Sequence, residues 1–300
     1  MQGSRLRADL LLVLTALIWG SAFVAQRLGM DSMGPFLYTG ARFALGALVI
    51  LPLALRGSGQ WDRHLWKVGA IAGVVLFLGA AIQQIGLIYT TAGKAGFITG
   101  LYVVMVPLLG LVIGQKTNPA IWLGIALSVV GLYFISFSAA VSINVGDSIV
   151  LGSALFWAIH VVLVSKYAGA LNPVRLAFIQ FLFCSLFSFV AAGLFEPVAL
   201  SMLSEGLYPI LYGGLVSVGI GYTLQVVAQR NALASHAAII LSLEAVFAAL
   251  AGWLFLNEQL NSQELFGCLL MLVGMMVAQL SPVWRQRHVV TGLPQGDHPA

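Results

Sequence analysis

The chain has 300 residues, of which 60% are hydrophobic and 8% are charged, and its net charge is +4. A water-soluble fold cannot bury so large an apolar share, so this composition excludes an ordinary soluble domain and indicates a membrane protein. The basic residues are scattered over several short loops and form no single patch, so we expect no nucleic-acid partner.

Ten apolar stretches follow one another along the chain, with most charged residues in short clusters between them. A helix needs about 20 mostly apolar residues to cross ~30 Å of hydrocarbon, because its backbone groups must be bonded internally there. The sequence therefore predicts an all-α polytopic membrane protein with ten transmembrane helices. These spans, one to ten, cover residues 10–26, 32–55, 68–93, 95–115, 117–146, 148–165, 176–195, 206–229, 231–257 and 265–284.

The basic residues also predict the orientation of the chain. With a cytoplasmic N-terminus, the segments on that side hold eleven Lys and Arg residues, and the other side holds two, Arg27 and Lys94. The positive-inside rule then places both termini in the cytoplasm, as an even number of spans requires. Arg5 and Arg7 could begin a secretory signal peptide, but no small-x-small cleavage site follows. We therefore assign this segment to span one of a protein of the inner (plasma) membrane.

The two halves of the chain share sparse identities at two offsets. An offset of 138 residues aligns Trp19 with Trp157, and an offset of 143 aligns Gly131 with Gly274. Chance identity between apolar sequences is the alternative to duplication. Because each half holds five spans, the sequence predicts two inverted-topology five-helix repeats, 10–138 and 147–282, between a cytoplasmic segment 1–9 and a flexible cytoplasmic tail 285–300. Such repeats are typical of carriers that expose a midplane site to each side in turn.

Several segments resemble a known family. They are 17–23 (LIWGSAF), Arg42, 90–97 (TTAGKAGF), 243–246 (LEAV) and 256–258 (LNE). In these segments the chain is similar to the drug/metabolite transporter superfamily, in its ten-span EamA-type branch, and the resemblance covers residues 10–282. Ala245 departs from it where proline is frequent, and Gln115 replaces the acid that Glu258 supplies in the second half. The resemblance implies a cavity surrounded by spans one, three, four, six, eight and nine, with spans five and ten at the periphery.

Glu244 is the residue whose placement in the membrane costs the most free energy, because its side chain can carry a charge. It lies in the interior of span nine, more than two helical turns from the cytoplasmic end. An acid at that depth must face protein or water, so Glu244 is a candidate for proton coupling or for binding a substrate amine. The alternative is a structural glutamate that stabilises the bundle by hydrogen bonding.

Arg42 is the single charged residue of span two and lies near its outer end. Its long stem could reach the membrane interface, which favours a structural role. The alternative is a gating or charge role in which the guanidinium attracts a substrate carboxylate.

Polar and aromatic residues at mid-span predict a central binding cavity. Helical spacing places Trp157 and His160 on one face of span six, and Tyr222 and Gln225 on one face of span eight. Interhelical hydrogen bonds, worth only ~0.6 kcal/mol on average, are the alternative explanation of such faces. The predicted substrate-binding residues are Trp19, Gln83, Gln84, Thr99, Tyr102, Trp157, His160, Tyr222, Gln225 and Glu244.

The sequence gives no sign of an enzyme, a cofactor or a metal site. Gly93 and Lys94 suggest a phosphate-binding loop, but Ala95 stands where Ser or Thr would bind magnesium. The five histidines, together with Cys184 and Cys268, lack the spacing of metal ligands.

These patterns together predict a secondary transporter that exports small metabolites such as amino acids by alternating access. Its expected partners are a small-molecule substrate, the lipid bilayer and a candidate coupling proton, while the oligomeric state stays open. A multidrug or lipid-linked sugar carrier would use the same fold, and a non-transporting membrane scaffold is the alternative from another class.

Overall fold

The computed structural model describes residues 2–56, 60–112, 114, 119–136, 144–258, 262–263, 265–267, 269–274 and 276–277. All regular secondary structure in these residues is helical, which confirms the predicted all-α class. Eight helices are long and apolar enough to cross a membrane, and they correspond to spans one to four and six to nine. Two shorter apolar helices, Pro119–Gly131 and Leu265–Gly274, occupy the places of spans five and ten, so the structure is compatible with ten spans. Gln115, Cys268 and the tail 285–300 lie outside the described residues.

The helices follow the predicted spans in order. In the first half they are α1 (Gln2–Gly29), α2 (Pro35–Arg56), α3 (Arg63–Leu87), α4 (Ala92–Gly100), α5 (Tyr102–Val112) and α6 (Pro119–Ser136). In the second half they are α7 (Val145–Tyr167), α8 (Pro173–Phe195), α9 (Leu200–Glu205), α10 (Leu207–Leu211), a π-helix (Tyr212–Tyr222), α11 (Thr223–Gln229), α12 (Ala234–Leu241) and α13 (Glu244–Leu256).

Helix caps explain two boundaries that differ from the sequence prediction. The sequence predicts span three up to residue 93, but α3 ends at Leu87 and the hydroxyl of Thr91 caps α4 by accepting from the backbone N–H of Lys94 at 3.3 Å. The sequence predicts span six from residue 148, but α7 begins at Val145, after the capping box of Asn144 and Asp147. In span three the helix ends before the uncharged stretch does, and in span six a capping box that includes Asp147 interrupts the uncharged stretch inside the helix, so hydrophobicity misplaces both boundaries.

Spans four and nine are each divided into two half-helices. At both joints the backbone makes a tight turn: Leu101 N–H donates to Ile98 O at 3.2 Å, and Leu243 N–H donates to Ile240 O at 3.1 Å. The offset of 143 residues places Leu101 on Glu244, so the two joints are equivalent positions of the two halves. Divided helices of this kind are typical of transporters, where they border the substrate site.

Span eight differs from its counterpart, span three, because its middle part, between α10 and α11, is a π-helix of 11 residues. Glycines let this segment approach its neighbours closely. A Cβ added at Gly221 would lie 2.9 Å from Trp19 Nε1, and one at Gly214 would lie 2.7 Å from Leu45 Cβ. π-helical turns occur frequently at functional sites. Span three, in contrast, is the uninterrupted helix α3.

The two halves interleave: α2 packs along α8, α3 along α7 and α8, and α1 along α13. Close packing depends on glycines of α3, since a Cβ at Gly69 would lie 2.7 Å from Ile179 Cβ, and one at Gly73 would lie 2.9 Å from the carbonyl oxygen of Gln180. Small residues at such contacts let helix backbones approach in a membrane, where the hydrophobic effect does not drive helix association. The space enclosed at the centre therefore lies between the two halves.

Candidate functional site

A cavity lies at the centre of the bundle, between the two halves. Only about 20 Å³ of it admits the centre of a water molecule. The residues come from spans one, three, four, six, eight and nine, the same six that the family resemblance implies. The lining residues are Trp19, Phe23, Gln26, Gln83, Thr99, Tyr102, Trp157, Val161, Ser217, Tyr222, Gln225 and Glu244.

Glu244 is the acidic group of this lining, and the joint of span nine places it there. It is the first residue of α13, and 4% of it is exposed. The Glu244 carboxylate lies beside the Tyr102 hydroxyl, which begins α5 at the equivalent joint of span four. Neither Glu244 Oε1 nor Tyr102 Oη has a hydrogen-bond partner outside this pair among the described residues. The two joints thus bring one carboxylate and one hydroxyl together in the cavity.

Tyr222 is the centre of an aromatic cluster in the cavity wall. Its ring centroid lies 4.4 Å from that of Trp19, 6.1 Å from that of Trp157 in a stacked arrangement, and 5.6 Å from that of Phe43. The indole N–H of Trp19 donates to the carbonyl oxygen of Ser217 at 3.4 Å, which connects span one with the π-helix. These rings can bind an apolar group or, through their faces, a cation.

The remaining polar groups of the cavity fall into two sets. Gln83 Nε2 donates to Thr99 Oγ1 at 2.7 Å, so these two side chains satisfy each other. In contrast, Trp157 Nε1 and both amide atoms of Gln225 are buried without a hydrogen-bond partner within the described part of the chain. An unpaired buried polar group costs about 1–3 kcal/mol, so these atoms are the ones that would gain most from a bound polar molecule.

Two predicted binding residues point away from the cavity. Gln84 follows Gln83 by about 100° of helix rotation, and its Nε2 donates to the carbonyl oxygen of Gln26 at 2.9 Å. His160 turns toward span seven, where its Nε2 lies 2.9 Å from Oε1 of Gln180. Neither side chain lines the cavity, and both instead connect neighbouring helices. The contacts of both residues are those of the alternative, interhelical hydrogen bonding, while their part in substrate binding stays a prediction.

Arg42 is not at the surface, and the expectation that its stem reaches the interface is wrong. Only 1% of it is exposed, and its guanidinium carbon lies 5.3 Å from the ring centroid of Tyr38 and 5.1 Å from that of Phe43. Its Nε and Nη2 have no hydrogen-bond partner among the described residues. The side chain is held by aromatic faces behind the cavity wall and does not line the cavity.

Four lining residues are not among the predicted binding residues: Phe23, Gln26, Val161 and Ser217. Phe23 and Gln26 follow Trp19 by four and seven positions, and a complete helical projection of span one would have found them. Ser217 precedes Tyr222 by five positions, a spacing that shares a face in a π-helix but not in an α-helix. Without knowledge of the π-helix, no sequence pattern assigns Ser217 to the cavity.

Residues that could hold a metal ion do not come together in the described part of the chain, where no group of three His, Cys, Asp or Glu side chains has suitable geometry. Cys184 is buried and unpaired. The cavity can therefore act on a ligand through one carboxylate, aromatic faces and neutral hydrogen-bonding groups.

A polar cavity enclosed between two interleaved halves of a helical bundle defines the class of this molecule: a polytopic membrane protein with the architecture of a carrier. The model of the EamA-like transporter family matches residues 6–137 and 144–279, once in each half. The chain belongs to this family and is a transporter.

Related proteins agree with this assignment. The chain is 36% identical over 277 residues to an uncharacterized transporter of Archaeoglobus fulgidus, covering 92% of this chain and 87% of that protein. It is 26% identical over 277 residues to the uncharacterized transporter YoaV of Bacillus subtilis, covering 88% and 93%. It is 29% identical over 149 residues to the uncharacterized inner membrane transporter YedA of Escherichia coli K12, covering 47% and 48%. A solved crystal structure with 20% identity has the same fold, with a TM-score of 0.74 over 91% of this chain and 96% of that chain.

Proposed function

We propose that this transporter is a secondary carrier that exports small zwitterionic metabolites, such as amino acids, by alternating access, and that it catalyses no chemical reaction. The observation that carries the proposal is one buried carboxylate that shares a cavity with unpaired hydrogen-bond donors. We also propose that it resides in the inner membrane with both termini in the cytoplasm, because basic residues are concentrated in the loops on that side.

The cavity matches the two ends of a zwitterion. The Glu244 carboxylate can bind an ammonium group, while Trp157 Nε1 and Gln225 Nε2 can donate hydrogen bonds to a carboxylate. The rings of Trp19 and Tyr222 offer an apolar surface for the rest of the molecule. A carboxylic acid alone would place its charge beside Glu244, so the lining favours molecules that also carry an amine.

The cavity must open to admit such a molecule, because about 20 Å³ holds one or two waters and no metabolite. We interpret the structure as a conformation whose cavity is too narrow to hold a substrate. Rocking of the two inverted halves would enlarge the cavity toward one side of the membrane at a time. The joints of spans four and nine supply turns at which the cavity wall can bend.

Glu244 is also the candidate coupling group, since it can exchange a proton for a substrate amine within one site. The test is efflux of a labelled amino-acid mixture from proteoliposomes at two pH gradients. We expect flux of particular amino acids that follows the gradient in the wild type and loses that dependence in Glu244→Gln. Glu205→Gln, at an exposed position, is the matched control and should behave like the wild type.

The outcomes separate the alternatives. Flux that ignores the gradient in both proteins would indicate a facilitative carrier and a structural Glu244. Absence of flux for a broad metabolite panel would contradict the proposal and favour a lipid-linked sugar carrier or a scaffold.

A multidrug carrier is the second candidate, because aromatic faces beside a carboxylate also suit an organic cation. Resistance of overexpressing cells to cationic dyes would support it. The donors on Trp157 and Gln225 separate the two functions, since a cation without a carboxylate does not need them. Trp157→Phe should therefore impair amino-acid efflux and leave dye efflux unchanged.

A further inference from the structure

Two equivalent side-chain contacts lie at the two ends of the bundle. At the end where span one begins, the N-terminal face, His236 Nε2 lies 2.9 Å from Asp9 Oδ1. At the opposite face, Lys94 Nζ lies 3.2 Å from Asp147 Oδ2. The first contact joins the beginning of span one to the first half-helix of span nine. The second joins the beginning of span six to the first half-helix of span four.

The inverted repeat relates these contacts to each other. The offset of 138 residues places Asp9 on Asp147, at the beginnings of spans one and six. Lys94 is the third residue of α4, and His236 is the third residue of α12, the first half-helices of spans four and nine. The two basic side chains hold the same place in their half-helices, although the offset of 143 residues places Lys94 on Ala237, one residue after His236. A carboxylate and a basic side chain thus meet once at each face.

We propose that these contacts are the two gates of the carrier. Asp147 and Lys94 close the cavity toward the opposite face, and Asp9 and His236 close it toward the N-terminal face. Each contact is released in turn, and the freed half-helix, α4 or α12, then moves about its joint at Leu101 or Ser242 and Leu243. The inference rests on the proposed alternating access, and both contacts are formed in this structure.

The two gates are not equally strong. At the opposite face Thr90 Oγ1 donates to Asp147 Oδ1 at 2.6 Å, and the Glu258 carboxylate accepts from the N–H groups of Ala92 and Gly93 at 3.2 and 3.1 Å.

At the N-terminal face, α12 follows Leu233, which provides no side-chain cap. The counterpart of Glu258 in the first half is Gln115, which lies outside the described residues. Hydrogen bonds to a carboxylate are stronger than neutral ones. We therefore expect the N-terminal face to open more readily in the absence of substrate.

The test measures access to the cavity from each side. Cys184 and Cys268 are replaced by alanine, Ser217→Cys supplies a reporter in the lining, and a membrane-impermeant maleimide is applied to one face of oriented vesicles. Asp9→Asn should raise the labelling rate from the N-terminal face roughly fivefold or more, a typical size for a coupled two-state shift.

Asp147→Asn should do the same from the opposite face. Asp31→Asn is the matched control. It removes the exposed ion pair between Arg27 and Asp31, which has the same length as the Asp9–His236 contact, 2.9 Å, but involves neither α4 nor α12.

A second variant guards against simple misfolding. Exchange of the partners, Asp9→His with His236→Asp, retains the contact and should return labelling to the level of the parent protein. Labelling that rises from the wrong face, stays unchanged in both single variants, or is not restored by the exchange would overturn the gates.

Efflux measured in the same variants without the reporter separates the gates from the transport function. Normal efflux with unchanged labelling would contradict the gates and leave the carrier function standing. Labelling that shifts as expected without any metabolite flux would support the gates and contradict export.

Discussion

Gly20, in the middle of span one, offers the sharpest test of the packing around the cavity. A Cβ at this position would clash with Cβ of Phe247, and it would lie 2.7 Å from the carbonyl oxygen of Glu244 and 2.8 Å from the backbone nitrogen of Ala248. Ordinary contact begins at 3.4 Å, so α1 and α13 would have to separate by at least ~0.7 Å to relieve the overlap with the Glu244 carbonyl oxygen, and by more to clear Phe247. Backbone atoms of a packed helix cannot give way as a flexible side chain can.

We therefore expect Gly20→Ala to destabilise the protein by about 1–3 kcal/mol, the usual cost of overpacking. Gly152→Ala is the matched control, because nothing lies within 4 Å of a Cβ there and alanine favours the helix. The detergent-purified variants are heated, and the folded fraction is measured by size-exclusion chromatography. The midpoint temperature of unfolding should be lower for Gly20→Ala than for the wild type, and equal or higher for Gly152→Ala.

The same displacement should reduce efflux through Gly20→Ala, since Glu244 moves with α13. Equal midpoints for the two alanine variants would refute the close approach of span one to span nine. A lower midpoint with normal efflux would refute the link between this packing and the position of Glu244.

Three further substitutions test separate parts of the structure. Trp157→Phe should raise the KM for amino-acid efflux about tenfold by removing one donor to a carboxylate, with little change for amino-acid esters; an equal loss for both would argue against this contact. Arg42→Gln should lower protein abundance more than it raises KM, since Arg42 lies between aromatic rings outside the cavity, and immunoblotting beside efflux assays separates the two effects. Asn257 has a φ of 54°, so Asn257→Gly should keep thermal stability whereas Asn257→Val should lower it by about 1–2 kcal/mol; equal midpoints would contradict the left-handed turn that leads to Glu258.

The sequence alone was sufficient for the span order and for much of the cavity lining, and the reason is physical. Apolar length reports membrane crossing directly, and a polar residue at mid-span must face protein or water. Eight of the ten residues predicted for substrate binding therefore line the cavity, although their role in binding stays a prediction.

The predicted residues that do not line the cavity show where the sequence is insufficient: depth in the membrane does not tell which direction a side chain points around the helix axis. Gln83 and Gln84 are adjacent in the sequence, but only one of two neighbours can face a given direction. The sequence also does not reveal the π-helix, whose glycines resemble those of an ordinary packing face. It did not predict that the joint of span nine falls at Glu244 either, since no proline marks it.

The interleaving of the two halves has a consequence for synthesis of the chain. α2 and α3 leave the ribosome before α7 and α8, the helices along which they pack. Until then the glycine faces at Gly69 and Gly73 have no close neighbour, and Arg42 lacks the second-half helices that bury it. We therefore expect the first half to insert into the membrane before it can fold, and not to fold on its own. A gene split between residues 138 and 147 should yield folded protein only when both fragments are made in the same membrane.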